Sequence, residues 1–150
     1  AMLERWDEGY ADTLRHKLFM RTCRMNPGAK LQDLERQLVK ARLARQVRIG
    51  GELGAALLTK LLKPVTATLH IGQVEADEVM RRMDLLPDRA GDVHLLKGFG
   101  IDGALTEQAP ERVRLVDPLL IRAELLVRPD DRLIEVAETL RKNHIEPRWK

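Results

Sequence analysis

The spacing of apolar residues alternates between a helical period and a strand period, which predicts helices interleaved with short strands. Residues 3–25 have helical character, although Gly9 weakens it, and the turn residues of MNPGAK end this segment. A second helix is predicted over residues 31–41, because charged side chains lie off its apolar stripe. The stripe comprises Leu31, Leu34, Leu38 and Ala41.

Alternating or β-branched runs predict about four short strands. These runs are ARQVRI, TATLHI, residues 92–97 and RVRLV. Between them, residues 74–86 are predicted to be helical, residues 88–91 to form a turn and residues 98–111 an irregular loop. The sheet that such strands can form is expected to be small.

The segment between the first two predicted strands contains a glycine pair and a helix. Gly50 and Gly51 predict a turn, and the helix that follows is predicted over residues 52–62, with Pro64 ending it. Its buried stripe is expected to comprise Leu53, Leu57, Leu58 and Leu61. Small side chains in the same helix are expected to allow a neighbouring element to approach closely, at Gly54, Ala55 and Ala56.

Two further helices are predicted near the C-terminal end of the chain. Asp117 is placed to cap the first, with Pro118 at its first position, where the missing N–H of proline costs nothing. RPDD breaks this helix, and the next begins near Asp130 or Asp131. Its apolar stripe comprises Leu133, Val136, Ala137 and Leu140. The whole pattern predicts a helix-rich α/β or α+β fold, with residues 1–150 forming a single domain.

The composition is that of a folded domain. Hydrophobic residues make up 44% and charged residues 33% of the 150 residues, and no apolar run approaches the roughly 20 residues of a membrane-spanning helix. Aromatic residues make up only 3%, which disfavours a platform for base stacking. The single cysteine, Cys23, excludes an intramolecular disulfide, so we expect a cytoplasmic protein. No signal-peptide pattern opens the chain, and Ala1 before Met2 is typical of a residue left by an expression tag.

The glycine pair raises the question of a phosphate-binding loop. Such a loop needs a Lys and a Ser or Thr at the start of the helix, or three spaced glycines, and GGELG has neither arrangement. Glu52, in the first helical turn, would repel a phosphate while complementing the positive end of the helix dipole. We therefore interpret the segment as a turn followed by an acidic helix start.

Other catalytic and metal-binding patterns are also missing from the sequence. The histidines have no partner at metal-ligand spacing, the chain contains no serine, and neither Asp-x-Lys nor Glu-x-Lys occurs. Arg21 and Arg24 near Cys23 could lower the pKa of its thiol, but a thiol in the core or on a helix surface is the commoner situation. We expect no catalytic residue, no metal and no cofactor.

Basic residues concentrate at the end of the second helix and in the strand after it. They are Arg36, Lys40, Arg42, Arg45 and Arg48. The formal net charge of +3 and the pI near 9.2 permit contact with nucleic acid without requiring it. A solvated face is the commoner explanation of such a series, and contact with DNA phosphates or with a partner is the alternative.

Four segments with recognisable patterns follow one another along the chain. The first is RWDEGYADTLRHKLFMRTCRM. GGE…AA…LT then spans residues 50–59, PD…G-x-V-x-L-L spans residues 87–96, and P-L-L…ELL…D-x-R…A spans residues 118–137. In this order they resemble the C-terminal region of AbiEi-family antitoxins of bacterial type IV toxin–antitoxin systems. No segment is specific alone, but four in sequence cover nearly the whole chain.

The resemblance implies a non-enzymatic protein that counteracts a nucleotidyltransferase-like toxin, with direct contact not assumed, and that supports repression of its own operon. The family usually reads DNA with an N-terminal winged helix, which this chain lacks. DNA binding is therefore expected to be weak and non-specific, through the basic series. Self-association is compatible with this role, and membrane contact is not expected. The glycine pair and Glu52 are then an architectural motif of the family.

Two alternatives stay open. The first is a degenerate nuclease-like α/β domain acting on nucleic acid, which would need a convergent carboxylate–lysine cluster that the linear sequence does not offer at normal spacing. The second is a bare protein-interaction domain, which the sequence does not separate from the antitoxin module.

Overall fold

The fold is built on a small mixed sheet, seen in a computed structural model that describes residues 2–98 and 113–149. Its strands are β1 (Phe19–Arg24), β2 (Val47–Gly50), β3 (Ala67–Ile71), β4 (Leu86–Pro87) and β5 (Val93–Lys97). Their order across the sheet is β2-β3-β5-β1-β4. β3 and β5 are parallel, and the other neighbouring pairs are antiparallel. The predicted helix-rich α/β class is confirmed, and the described residues form five strands where about four were expected.

Helices precede, connect and follow the strands. The chain begins with one continuous helical segment, in which α1 (Met2–Gly9) passes through a π-helix (Tyr10–Leu14) into α2 (Arg15–Leu18). A 3₁₀ turn (Leu31–Asp33) leads into the next α-helix. The remaining α-helices are α3 (Leu34–Lys40), α4 (Gly51–Thr59), α5 (Ala76–Arg82), α6 (Pro118–Leu125) and α7 (Asp131–Leu140). A π-helix (Arg141–Ile145) and a 3₁₀-helix (Glu146–Trp149) follow α7.

Two apolar clusters hold these elements together. The first joins alternate residues of β2, β3 and β5 with α3 and α5, and it includes Val47, Ile49, Leu69, Leu95, Leu38 and Val79. The second joins the N-terminal helical segment with α4, α6 and α7, and it includes Tyr10, Ala55, Ile121, Leu125 and Leu140. An ion pair between Arg122 of α6 and Asp7 of α1 lies at the edge of this second cluster. Helix α6 therefore packs against both the start and the end of the chain.

The predicted stripes and caps of three helices are confirmed. In the second predicted helix the three leucines are buried and Ala41 packs against the core. The Asp117 carboxylate accepts a hydrogen bond from the Leu119 N–H at 2.9 Å, and Asp130 accepts one from the Leu133 N–H at 2.8 Å, so each caps its helix. All four residues of the predicted α7 stripe are buried.

The prediction of one helix over residues 3–25 is wrong at its C-terminal end. Residues 19–24 form β1, which pairs with β5 on one side and with β4 on the other. Similarly, the helix predicted over residues 74–86 is shorter, because Leu86 and Pro87 pair with β1. In both places strand pairing outweighs the local helical pattern.

The predicted phase of α4 is also wrong. Leu53 is buried, but Leu57 lies at the surface and Leu61 is 63% exposed, while Leu58 is half-buried. The helix ends at Thr59, where Lys60 adopts a left-handed conformation, so Leu61 lies beyond it. The buried residues occupy the first five positions, because β3 and α6 pack against that end of the helix. Gly54 allows both α6 and β2 to lie close, since a Cβ there would lie 3.3 Å from Cδ1 of Ile121 and 3.1 Å from the Ile49 carbonyl oxygen.

The last predicted strand is reduced to a single bridge. Leu115 pairs with Ile49 in parallel, supported by hydrogen bonds from the Ile49 N–H to the Arg114 carbonyl and from the Val116 N–H to the Ile49 carbonyl, each 3.0 Å long. Residue 112 of this predicted strand lies outside the described residues, as does the predicted loop except for Gly98.

Candidate functional site

A row of polar side chains crosses one face of the sheet. Thr22 of β1 pairs with His94 of β5, His94 pairs with Thr68 of β3, and Thr68 pairs with Gly50 of β2. Directly paired residues on neighbouring strands project from the same face, so these side chains lie side by side. His70 projects from the same face, two residues further along β3. The apolar residues of the first cluster project from the opposite face of the sheet.

A buried carboxylate lies over this polar face. Glu124 of α6 has a side chain that is 3% exposed, and its Oε2 lies 3.0 Å from Nε2 of His70, which is 1% exposed. Its Oε1 accepts a hydrogen bond from the Gly51 N–H at 2.9 Å, and Oε2 accepts one from the Tyr10 hydroxyl at 3.2 Å. Burial, followed by the charge of Glu124, raises the pKa of the Tyr10 hydroxyl, so that it stays protonated as a donor. These partners compensate the desolvation of the carboxylate.

The glycine pair makes room for this carboxylate. A Cβ on Gly50 would clash with Oε1 of Glu124 and lie 3.0 Å from Nε2 of His70. Gly51 has φ +60°, and a Cβ there would lie 2.6 Å from Oγ1 of Thr68. Thus the first N–H of α4 is bound by a carboxylate of the protein itself, at the position where a phosphate-binding loop would hold its ligand.

Glu52 links three segments that are separate in the sequence. Its carboxylate accepts hydrogen bonds from the Val65 N–H at 3.2 Å, from the Thr66 hydroxyl at 3.1 Å and from the Arg132 guanidinium at 3.1 Å. The side chain is 11% exposed. Its contacts tie the start of α4 to the loop before β3 and to α7, as expected of an architectural residue.

A cavity of about 610 Å³ adjoins the polar row. The residues that line it include Arg15, Phe19, Thr22, Thr68, His94 and Glu124. The Arg15 guanidinium carbon lies 5.4 Å from the centroid of the Phe19 ring. Burial, followed by the charge of Arg15, lowers the pKa of His94 below its ordinary value of 6.5, which favours the neutral imidazole at neutral pH. The cavity thus combines hydroxyl, imidazole and guanidinium groups.

Cys23 is a core residue. Its side chain is fully buried, and its Sγ lies 3.6 Å from the Val93 carbonyl oxygen. Burial, followed by the charge of Asp92, raises the pKa of the thiol to about 11. The neighbouring arginines therefore do not produce the reactive thiolate that the sequence left as an alternative.

The basic series divides into two environments. Four of its members are exposed and form what we call the basic surface, namely Arg36, Lys40, Arg42 and Arg45. Arg48 is 8% exposed and pairs in register with His70, so it belongs to the polar face of the sheet. Burial, followed by the charge of Arg114, lowers the pKa of Arg48. Within the basic surface, Arg36 Nη2 lies 3.3 Å from Oδ1 of Asp33.

Within residues 2–98 and 113–149, no group of three or more His, Cys, Asp or Glu side chains is placed to hold a metal ion. In the same part of the chain, no helix is both long and apolar enough to cross a membrane.

The polar row was missed by the sequence analysis. A signal for it was present, because Thr68 and His70 alternate with apolar residues in TATLHI, and His94 occupies the equivalent position in the next buried strand. For Glu124 no local signal exists, since its partners lie 54, 73 and 114 residues away.

The fold and this site define a mixed α/β domain whose buried charges tie its helices to one face of a small sheet. A model of the family described as "Transcriptional regulator, AbiEi antitoxin, Type IV TA system" matches residues 1–146. The chain belongs to this family of type IV toxin–antitoxin regulators, as the resemblance implied. Comparisons with curated proteins and with solved structures gave no match.

Proposed function

We propose that the chain acts as a non-enzymatic antitoxin and regulatory module that counteracts a nucleotidyltransferase-like toxin and supports repression of its own operon. The family match over residues 1–146 carries this proposal. In it, residues 1–150 work as one domain in the cytoplasm, and direct contact with the toxin is not assumed.

The environments of the buried acids support a non-enzymatic role. Glu124 is engaged by a backbone N–H, an imidazole and a hydroxyl. Glu52 is engaged by a backbone N–H, a hydroxyl and a guanidinium. A general acid or base must reach a substrate proton, and these carboxylates are already held by protein donors.

Co-expression with the toxin tests the neutralisation. Cells that express a nucleotidyltransferase-like toxin of this type IV family should stop growing, and co-expression of the chain should restore growth. A Leu69→Asp variant, which places a charge in the fully buried core, is a folding-defective control that should fail to restore growth. If the folded wild-type chain accumulates in the cells and growth is not restored, the proposal is wrong.

We further propose that the basic surface contacts nucleic-acid phosphates weakly and without sequence preference. Its four residues are exposed, and Lys40, Arg42 and Arg45 form no ion pair within the described residues. Each phosphate contact releases counterions, so affinity should be roughly micromolar or weaker at physiological salt and fall steeply as salt is added.

Fluorescence anisotropy with labelled duplexes at several salt concentrations tests this contact. A Lys40→Gln, Arg42→Gln, Arg45→Gln triple variant should flatten the salt dependence, while an Arg5→Gln, Arg89→Gln control, which removes exposed charges elsewhere, should not. Toxin neutralisation should persist in the triple variant if it depends on other surfaces. Nanomolar, sequence-selective binding by this chain would contradict the proposal.

A further inference from the structure

We propose that the cavity beside the polar row binds a small molecule through an oxyanion, held between the Arg15 guanidinium and the hydroxyls of Thr22 and Thr68. This site is distinct from the basic surface, and its existence does not depend on the antitoxin role. The ligand class is a small metabolite bearing a phosphate or a carboxylate group.

The donors that face this cavity are not satisfied by the protein. Within the described ranges, the hydroxyls of Thr22 and Thr68 make no hydrogen bond, and the Arg15 guanidinium, which lies over the Phe19 ring, makes neither a hydrogen bond nor an ion pair. The Nδ1 atom of His94 is buried and also has no hydrogen-bond partner among these residues. Buried polar groups are almost always paired in native proteins, so the unpaired Nδ1 of His94 and the unpaired hydroxyl of Thr68, a residue only 5% exposed, point to a ligand beside them, while Thr22 and Arg15 are half-buried donors at the same cavity.

The donors converge because of the sheet register. Thr22, His94 and Thr68 are direct neighbours on three adjacent strands, so their side chains line one side of the cavity. Arg15 comes from α2, which packs against β5. The guanidinium and the strand hydroxyls therefore reach the same space from two rigid elements, which suits a planar donor facing an oxyanion.

The charge balance favours an anion over a cation. Two carboxylates in the lining, Glu124 and Glu52, are compensated by their protein partners. The remaining acid, Asp12, is exposed, and the exposed Arg128 also belongs to the lining. The half-buried Arg15 guanidinium forms no ion pair within the described residues, and its positive charge is felt in the polar row, where it contributes to the lowered pKa of His94.

The size of the cavity sets an upper limit on the ligand. A volume of about 610 Å³ lies within the range of ordinary small-molecule sites, so a molecule of mononucleotide size fits. Phe19 and the apolar Leu125 and Val127 add contacts for a non-polar part of such a molecule. A single inorganic anion would bind to the donors but would leave much of the cavity unfilled.

Isothermal titration calorimetry on the full chain tests the site with named probes. Inorganic phosphate and 5′-AMP supply the phosphate group, citrate supplies carboxylates, and adenosine is the uncharged comparison. We expect at least one of these anions to bind with a Kd of about 1 mM or tighter. If the phosphate is the recognised group, adenosine should bind at least about tenfold more weakly than 5′-AMP. Binding by citrate alone would assign the site to carboxylates.

Substitutions locate the binding. Arg15→Gln and Thr68→Val should each weaken binding, the arginine change by about tenfold or more because a charge-assisted hydrogen bond is lost. The matched controls Arg5→Gln and Thr13→Val, both at exposed positions of the N-terminal helical segment, should bind like the wild type. If Thr68→Val does not fold, as judged by circular dichroism, Thr22→Val takes its place.

Two results would overturn the proposal. The first is that no anion binds with a Kd tighter than about 10 mM. The second is that the Arg15 and threonine variants bind with wild-type affinity, which would place any anion elsewhere on the protein. Neither result bears on toxin neutralisation, which is measured separately in cells.

Discussion

Replacing Glu124 with alanine is expected to destabilise the protein strongly, although this residue lies in a helix of only eight residues. The substitution removes the acceptor for the Gly51 N–H and the Tyr10 hydroxyl and the partner of the buried His70. Removing one member of a buried pair typically costs about 3–5 kcal/mol, because the remaining polar groups stay desolvated without partners. For a chain of this length we expect the midpoint of thermal unfolding to fall by roughly 6–20 °C.

A Glu124→Gln substitution separates the charge from the shape of the side chain. Its amide oxygen can still accept from the Gly51 N–H, but the negative charge facing His70 is lost. We expect a smaller loss of about 1–3 kcal/mol, the magnitude of a charge-assisted hydrogen bond. The control Glu135→Ala removes an exposed carboxylate from α7 and should change stability by no more than about 0.5 kcal/mol.

Urea unfolding followed by circular dichroism and tryptophan fluorescence measures these differences. Trp6 is a useful reporter, since its indole N–H donates to the Leu119 carbonyl at 3.2 Å and so senses the contact between α1 and α6. If Glu124→Ala unfolds within about 1 kcal/mol of the wild type with an unchanged m value, the carboxylate does not hold these elements together and our reasoning is refuted.

Three further predictions follow from burial. Leu53→Ala should cost about 2–5 kcal/mol in urea unfolding, whereas Leu61→Ala, at a position 63% exposed, should stay within about 0.5 kcal/mol; equal effects would show that the phase of α4 is wrong. Because burial raises the pKa of Cys23 to about 11, a thiol reagent such as DTNB should label the native protein slowly near pH 8 and the urea-unfolded protein fast; rapid native labelling would contradict its core position. Burial and the charge of Arg15 lower the pKa of folded His94 below 6.5, so the unfolded state binds a proton more readily and the free energy of unfolding should fall as the pH drops below about 6.5. Urea midpoints at several pH values should depend less steeply on pH in a His94→Asn variant than in the wild type. An equal pH dependence in the two proteins would contradict this prediction.

Much of the helical architecture could be predicted from the sequence, because caps and stripes depend on residues a few positions apart. Asp117 with Pro118 and Asp130 with the α7 stripe specify their helices through local hydrogen bonds and a 3.6-residue period. Local alternation of apolar and polar residues likewise predicts the strand in TATLHI. The family followed from the order of short patterns, which needs no three-dimensional information.

The tertiary structure decided the features that depend on distant partners. Residues 19–24 form a strand because they pair with β5 on one side and with β4 on the other. The first residues of α4 are buried because β3 and α6 pack against that end of the helix. Arg48 does not belong to the basic surface, because the sheet register places it beside His70. Glu124 reaches its partners, which lie 54 to 114 residues away in the sequence, only because α6 packs over the polar face. Hydrophobic spacing records which side of an element is buried, but it carries no information about which element covers it, so the carboxylate network and the cavity beside it could emerge only from packing.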